Sequence, residues 1–491
     1  MQVGVQWAGL AAGPVLGLVV YLLAPEAAEG GRGLTHEGRV IAGVGVLMAV
    51  WWLTEAVPLA ATALVPIACL PLLGARTIRE AAEPYADPVI FLFMGGFVLG
   101  LGMERWGLSR RIALATVLMV GTGPRGLVAG FMLASAAMSM WVSNTATVAI
   151  MLPIGVSVIR LVRARAEEGA GRPGADFAAA LVLGIAYAAS IGGVGTLIGT
   201  PPNVVLKGYV QRVYGQEIGF TAWLAVGLPL VAAFLPLAWL YLTAVAFPVR
   251  LGRVPGGRQM IRDELSRLGP MSRGERVVAV VFALTALAWV ARPQIAALTG
   301  LTGLTDEGIA VIAAGALFLI PVDVRTRTFA MDWETASKLP WGILVLFGGG
   351  LSLAAAIQGG GVDRFIGGGF ESLRGAHPFL VVAAVATGVI FLTELTSNTA
   401  VANTLMPVLG GAGVSTALGL DPTLLLVPAT LAASLAFMLP VATPPNAMVF
   451  GSGYVRLGQM VRAGFWLNLL GIVLVSLVGY FVAGPALGLD L

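Results

Sequence analysis

The sequence predicts an all-α polytopic membrane protein of about eleven transmembrane helices, in two inverted-topology repeats that each hold a re-entrant hairpin. Three observations carry this expectation. Hydrophobic residues fill 58% of the 491 positions and charged residues only 11%, against about 25% charged in a soluble domain. Apolar runs reaching the roughly 17–25 residues of a bilayer-spanning helix recur along almost the whole length. They lack the strict alternation of a β-barrel strand. The same polar interruptions then appear in both halves of the chain.

Taken in order, Trp7–Leu23 resembles a signal-peptide core but has no basic segment before it and no obvious small-residue cleavage site. Residues 1–35 are therefore assigned to an N-terminal transmembrane helix. Helices follow at 38–57, 59–75 and 88–103, then broken segments at 127–160 and 177–214, and a helix at 220–247. An Arg-rich polar stretch marks the midpoint. The pattern resumes at 277–297, 308–321 and 340–357, breaks at 378–411 and 422–453, and ends with a helix at 463–484. This gives a first repeat over 36–248 with its hairpin at 127–160, a cytoplasmic linker over 249–276, and a second repeat over 277–491 with its hairpin at 378–411.

Charge sets the orientation. The net charge is +4 and the pI near 9.4, which in a membrane protein reflects basic cytoplasmic loops rather than nucleic-acid binding. With 249–276 in the cytoplasm and both hairpins re-entrant, 20 of the 29 basic residues fall on the cytoplasmic side. The N-terminus is then cytoplasmic and the C-terminus outside, in an inner (plasma) membrane with lipids around it.

The halves match at several points. Gly95-Gly96 matches Gly348-Gly349, Gly107-Leu108-Ser109-Arg110 matches Gly361-Val362-Asp363-Arg364, and Pro153 matches Pro407. Ser143-Asn144-Thr145-Ala146 matches Ser397-Asn398-Thr399-Ala400, and Thr200-Pro201-Pro202-Asn203 matches Thr443-Pro444-Pro445-Asn446. Inverted repeats are a common transporter architecture, with the binding site at the repeat interface near the midplane.

These two motifs carry the chemistry. Pro-Pro lacks two N–H donors and pushes the preceding residue out of the α region, so the helix must break there. Non-helical backbone at membrane depth is tolerated only against protein or a wet cavity. A helix restarting after the break offers free N–H groups and the positive end of its dipole, an anion site without formal charge. The broken carbonyls can hold a cation. Ser, Asn and Thr add donors for an anion and oxygen acceptors for a hard cation. Two such clusters facing each other suit a solute with two anionic ends. The motifs contain no Arg or Lys, so a dianion needs co-bound cations or an exchanger that never leaves the site empty.

Two intramembrane carboxylates stand out. Glu394, three residues before Ser397, either acts near the site or makes a structural hydrogen bond. Glu55, at a helix end, is read as structural, and Lys207 as interfacial. An intramembrane enzyme would need a nucleophile–base pair or a metal site. The two histidines, His36 and His377, are far apart, and the single cysteine, Cys69, sits in an apolar run. A passive channel would line a continuous pore with charged or carbonyl rings, which two broken loops per half do not.

At these residues the chain resembles the divalent anion/sodium symporter family, which includes INDY-type bacterial dicarboxylate transporters and animal dicarboxylate, citrate and sulfate carriers. The resemblance runs from Trp51-Trp52-x-Thr54-Glu55-Ala56-x-Pro58 to the last helix. It implies a homodimer whose transport domain slides as an elevator against a scaffold. It implies that Ser143, Asn144 and Thr145 hold one carboxylate and Ser397, Asn398 and Thr399 the other, with Thr200, Pro201, Thr443 and Pro444 lining the pocket. It implies one sodium (Na+) site at Ser139, Ser143, Asn144 and the Gly199 carbonyl, and another at Thr393, Thr396, Asn398 and the Ala442 carbonyl. Thr200 and Thr396 depart from the family's commoner choices, Ser and a small apolar residue. The function this implies is sodium symport of C4-dicarboxylates such as succinate, malate or fumarate, with the five-carbon 2-oxoglutarate as a further candidate. A sodium-independent dicarboxylate exchanger and a sulfate or citrate carrier are the alternatives.

Overall fold

Helices dominate because the chain is apolar throughout and must satisfy its backbone groups internally. The computed structural model describes residues 2–26, 33–121, 123–165, 171–250, 257–301, 303–369, 375–411 and 417–487. Among them, nine helices are long and apolar enough to cross a membrane, with shorter apolar helices at Leu59–Leu72, Pro378–Thr393 and Thr423–Ala433. Many outward side chains are large and apolar, such as Leu72, Leu298 and Leu319. Such a surface suits lipid rather than water. The protein is a multi-pass, all-helical membrane protein, apart from a two-stranded antiparallel ribbon of Pro321–Asp323 and Thr328–Phe329.

Most expected elements are present with shifted ends. The stretch 59–75 is two short helices, Leu59–Thr62 and Val65–Leu72, with prolines at 66 and 71. The hairpin expected at 127–160 has arms Pro124–Ser139 and Asn144–Arg165, and the second has arms Pro378–Thr393 and Asn398–Leu409. The 177–214 segment is Gly171–Gly193 followed by Pro201–Tyr214, and the 422–453 segment is Thr423–Ala433 followed by Pro444–Gly451. The linker contains a polar helix, Gly257–Arg267, and the next long helix, Arg273–Thr299, starts inside it; residues 251–256 lie outside the described ones. A helix absent from the sequence reading, Leu108–Val120, occupies the connection that holds Arg110 and Arg111. Its N-cap Gly107 has φ 76°, and the matching Gly361 has φ 70° before the short helix Val362–Gly368. Both caps take the left-handed conformation that glycine adopts without penalty.

Two groups of helices surround the site. One contains both hairpins, the two broken helices, Phe220–Leu240 and Leu457–Phe481; at its centre runs Gly171–Gly193, whose apolar window is 89% buried. The other contains Gln2–Leu23, His36–Thr54, Pro88–Arg105, Arg273–Thr299, Asp306–Leu319 and Trp341–Gly359. Within this second group, Gly17 and Gly43 let two helices touch: a Cβ on either would lie 2.7 Å from the other's carbonyl oxygen. Close approach at small residues is how membrane helices gain packing contact.

Candidate functional site

Each repeat supplies two chain breaks, and all four meet at one cavity of about 1180 Å³. Ser143, Asn144, Thr145, Thr200, Pro201, Ser397, Asn398, Thr399, Thr443 and Pro444 all line it. The second group of helices closes the wall with Phe93, Phe97, Pro340, Ile343 and Leu346. Gln6 and Glu55 line it as well, and Glu55 caps the end of His36–Thr54 with φ 49°. Glu55, read as a structural helix-end residue, is thus also a cavity residue held in the left-handed region. Among the described residues, no Lys or Arg lines the cavity.

The breaks are built alike. Thr200 and Thr443 are N-caps with nearly superimposable backbones, φ −144° and ψ 143° against φ −144° and ψ 149°. The asparagine that ends each Thr-Pro-Pro-Asn motif explains why the break is stable. Asn203 Nδ2 donates to the carbonyls of Gly193 at 3.3 Å and Thr196 at 2.8 Å. Asn446 Nδ2 donates to those of Ala436 and Leu439, both at 3.1 Å. Each amide ties two carbonyls of the unwound segment together: those of Thr196 and Leu439 also accept from the Gly199 and Ala442 N–H groups, while those of Gly193 and Ala436 lie at the end of the preceding segment. The helices starting at Asn144, Pro201, Asn398 and Pro444 therefore point their N-termini at one space, and their dipoles favour negative charge there.

Neutral oxygens gather beside these N-termini. Ser139 Oγ donates to Asn144 Oδ1 at 2.5 Å. A Cβ on Gly193 would lie 2.7 Å from Asn144 Oδ1 and 3.3 Å from the Gly199 carbonyl oxygen, and one on Gly199 would lie 3.0 Å from the Ser139 carbonyl oxygen. In the other half, Thr393 Oγ1 lies 2.6 Å from Asn398 Oδ1 and 2.9 Å from the Ala433 carbonyl oxygen, two acceptors for its one proton. Hard, uncharged oxygens fit a monovalent cation better than a divalent one, which prefers carboxylates. Gly199 and Ala442 reach the cavity, whereas Ser139, Thr393 and Thr396 lie behind its wall. The Thr396 hydroxyl donates to the Trp52 carbonyl at 3.4 Å.

The halves are not identical. Ser143 Oγ accepts from the Ala146 N–H at 3.2 Å, whereas the Ser397 side chain caps nothing. Glu394 sits at the end of the first arm of the second hairpin, where the first hairpin has Met140. Its carboxylate accepts from the backbone N–H groups of Phe437, Met438 and Leu439 at 2.6, 2.8 and 2.9 Å. Glu394 is thus the structural acceptor for the unwound stretch before Thr443. Lys207 is not interfacial, as its position after Asn203 had implied: it is fully buried beside Asp306 and Glu307. The structural hydrogen bond is one of the two readings of Glu394, but its partners, like those of Lys207, lie tens of residues away and have no local signal.

Residues 5–485 match the family described as the sodium:sulfate symporter transmembrane region. The chain belongs to that family. The chain is 42% identical over 490 residues to a sodium-dependent dicarboxylate transporter, SdcS, of Staphylococcus saprophyticus, covering 99% of this chain and 93% of the relative. It is likewise 42% identical over 489 residues to SdcS of Staphylococcus aureus, with the same coverage. The fold is similar to that of the Alcanivorax borkumensis YdaH transporter, with a TM-score of 0.57 and 17% identity over 89% of this chain and 98% of that one. It is also similar to Neisseria gonorrhoeae MtrF, with a TM-score of 0.58 and 10% identity over 97% and 94%.

Proposed function

We propose that this protein carries C4-dicarboxylates (succinate, malate and fumarate), and the five-carbon 2-oxoglutarate, across the inner membrane together with sodium. The observation that carries the reading is the pair of repeat-related loops on one cavity: four helix N-termini and two Ser-Asn-Thr clusters, with no basic side chain among them. Such a site favours anions, and cations accompanying a dianion would balance its charge. The oxygens around Asn144 and Asn398 offer them places directly behind the clusters. The relatives named as sodium-dependent dicarboxylate transporters support the same substrate class.

In this reading sodium binds first at both nests and orders the loops. One carboxylate of the substrate then takes hydrogen bonds from Ser143, Asn144 and Thr145, and the other from Ser397, Asn398 and Thr399. Thr200, Pro201, Thr443 and Pro444 bound the space between. The body holding the four breaks then slides, as an elevator, against the body holding Phe93 and Pro340, which also carries the homodimer contact. The N-terminus lies in the cytoplasm and the C-terminus outside, so the cavity mouth at Glu55 and Pro340 faces the cytoplasm.

Uptake of labelled succinate into proteoliposomes, with and without a sodium gradient and with and without internal succinate, tests this reading. Uptake driven by inward sodium into empty vesicles is expected. Uptake that needs internal succinate but not sodium would identify an exchanger instead.

A further inference from the structure

The helix Pro201–Tyr214 begins at the site and carries Lys207 away from it, about 9 Å further along at 1.5 Å per residue. Lys207 Nζ lies 2.7 Å from Glu307 Oε1 and 3.4 Å from Asp306 Oδ2. The Lys207 and Asp306 side chains are 0% exposed and that of Glu307 11%. Asp306 is further fixed by Arg292 Nε at 3.2 Å and by the Phe220 N–H, which donates to it at 2.9 Å. The contact around the pair is dry and tight: a Cβ on Gly208, the next residue, would lie 2.8 Å from Val89 Cγ1 and 3.3 Å from Leu351 Cδ2.

Lys207 belongs to the body that holds the chain breaks, and Asp306 and Glu307 open a helix of the other body. A second basic residue on the same helix, Arg212, reaches Glu83 at 3.4 Å and Asp87 at 3.6 Å, but its side chain is 23% exposed. Solvent screens that pair, whereas Lys207 and Asp306 are fully buried and, among the described residues, Arg292 is the other basic side chain paired with them. Separating buried charges leaves each uncompensated, which costs far more than an exposed pair does. None of the three lines the cavity, whereas Glu55 and Pro340 do, and the helix Pro201–Tyr214 leads from the cavity to the triad.

We propose that Lys207, Asp306 and Glu307 form an ion-pair latch that holds the two bodies in the state with the cavity open at Glu55. The proposal rests on the sliding reading above. Movement of the break-bearing body away from that mouth carries Lys207 past Asp306 and Glu307, so the latch must open in each cycle. Its strength sets the population of the two end states and leaves the substrate contacts themselves unchanged.

The test uses pulsed electron paramagnetic resonance on the full chain. Spin labels at Gln216→Cys and Leu319→Cys, with Cys69→Ser, report the displacement between the bodies. Two variants are compared. Lys207→Met leaves two carboxylates facing Arg292; Lys207→Met/Asp306→Asn/Glu307→Gln removes all three charges and keeps an acceptor for the Phe220 N–H. In ligand-free protein, both are expected to raise the longer-distance population several-fold over the unmodified triad. If sodium and succinate shift the distance in every protein, but neither variant alters the ligand-free distribution, the latch is refuted and sliding stands. If no condition shifts the distance in any protein, sliding fails and the latch with it.

Discussion

Asn468 Nδ2 donates to Glu394 Oε1 at 2.8 Å, deep between the second hairpin and the last long helix. With the three backbone N–H groups of Phe437, Met438 and Leu439, this fixes a full carboxylate against a stretch of unwound chain. The segment leading to Thr443 is therefore held by a carboxylate, while among the described residues the equivalent segment before Thr200 is held by neutral groups. The Thr196 hydroxyl, for example, donates to the Met140 carbonyl.

This asymmetry gives a first prediction. Glu394→Gln points an amide NH2 at donors and weakens charge-assisted bonds, so it should lower stability by about 1–3 kcal/mol. Thermal unfolding of the purified protein should show a lower midpoint, and saturating sodium should restore little of the lost uptake. An unchanged midpoint would mean that the carboxylate does not support the segment.

Asn203→Ala should behave similarly. It removes the side-chain donor from the buried carbonyls of Gly193 and Thr196, the latter keeping only the long bond from the Gly199 N–H, at a cost of about 1–3 kcal/mol. Asn446→Ala should match it, because Ala436 and Leu439 lose the same bonds. A thermal scan in which either variant equals the native protein would contradict the role given to these amides.

Gly193 offers a sharper probe of the first cation nest. A Cβ there would lie 2.7 Å from Asn144 Oδ1, so Gly193→Ala should displace that oxygen. The sodium concentration for half-maximal uptake should rise about tenfold or more, corresponding to some 1.4 kcal/mol. The repeat partner, Ala436, already carries a Cβ, and Ala436→Gly should change sodium dependence little. Equal effects from the two substitutions would dissociate Gly193 from the cation nest.

Glu55 holds a left-handed backbone at φ 49°. Glu55→Gly removes the steric penalty and should stabilise the protein by about 1 kcal/mol, less the entropy glycine adds to the unfolded chain. It also removes a negative charge from the wall of an anion cavity, so the apparent KM for succinate should fall, most clearly at low ionic strength. A raised KM would show that the Glu55 carboxylate assists rather than opposes the substrate.

Legibility followed the range of the forces involved. Apolar runs announced the helices because solvent preference is local, and Thr-Pro-Pro-Asn announced the breaks because proline acts on its immediate neighbours. Repetition of Ser-Asn-Thr showed that both breaks serve one place, and all ten expected wall residues do line one cavity. The helix Leu108–Val120 was hidden by its arginines: Arg111 pairs with Glu275 at 2.7 Å, a partner 164 residues on. Lys207 and Glu394 were hidden for the same reason. A charge in an apolar run states that it needs a partner without stating which, and only the packed chain brings Asp306 to one and Asn468 to the other.

The most direct test of the central claim is equilibrium binding of labelled succinate to purified protein, with and without sodium, in the native chain and in Asn144→Ala and Asn398→Ala. The account predicts binding that requires sodium in the native protein and is lost in each variant, with folding intact by thermal unfolding. Native binding of equal strength without sodium, or undiminished binding in either variant, would contradict it.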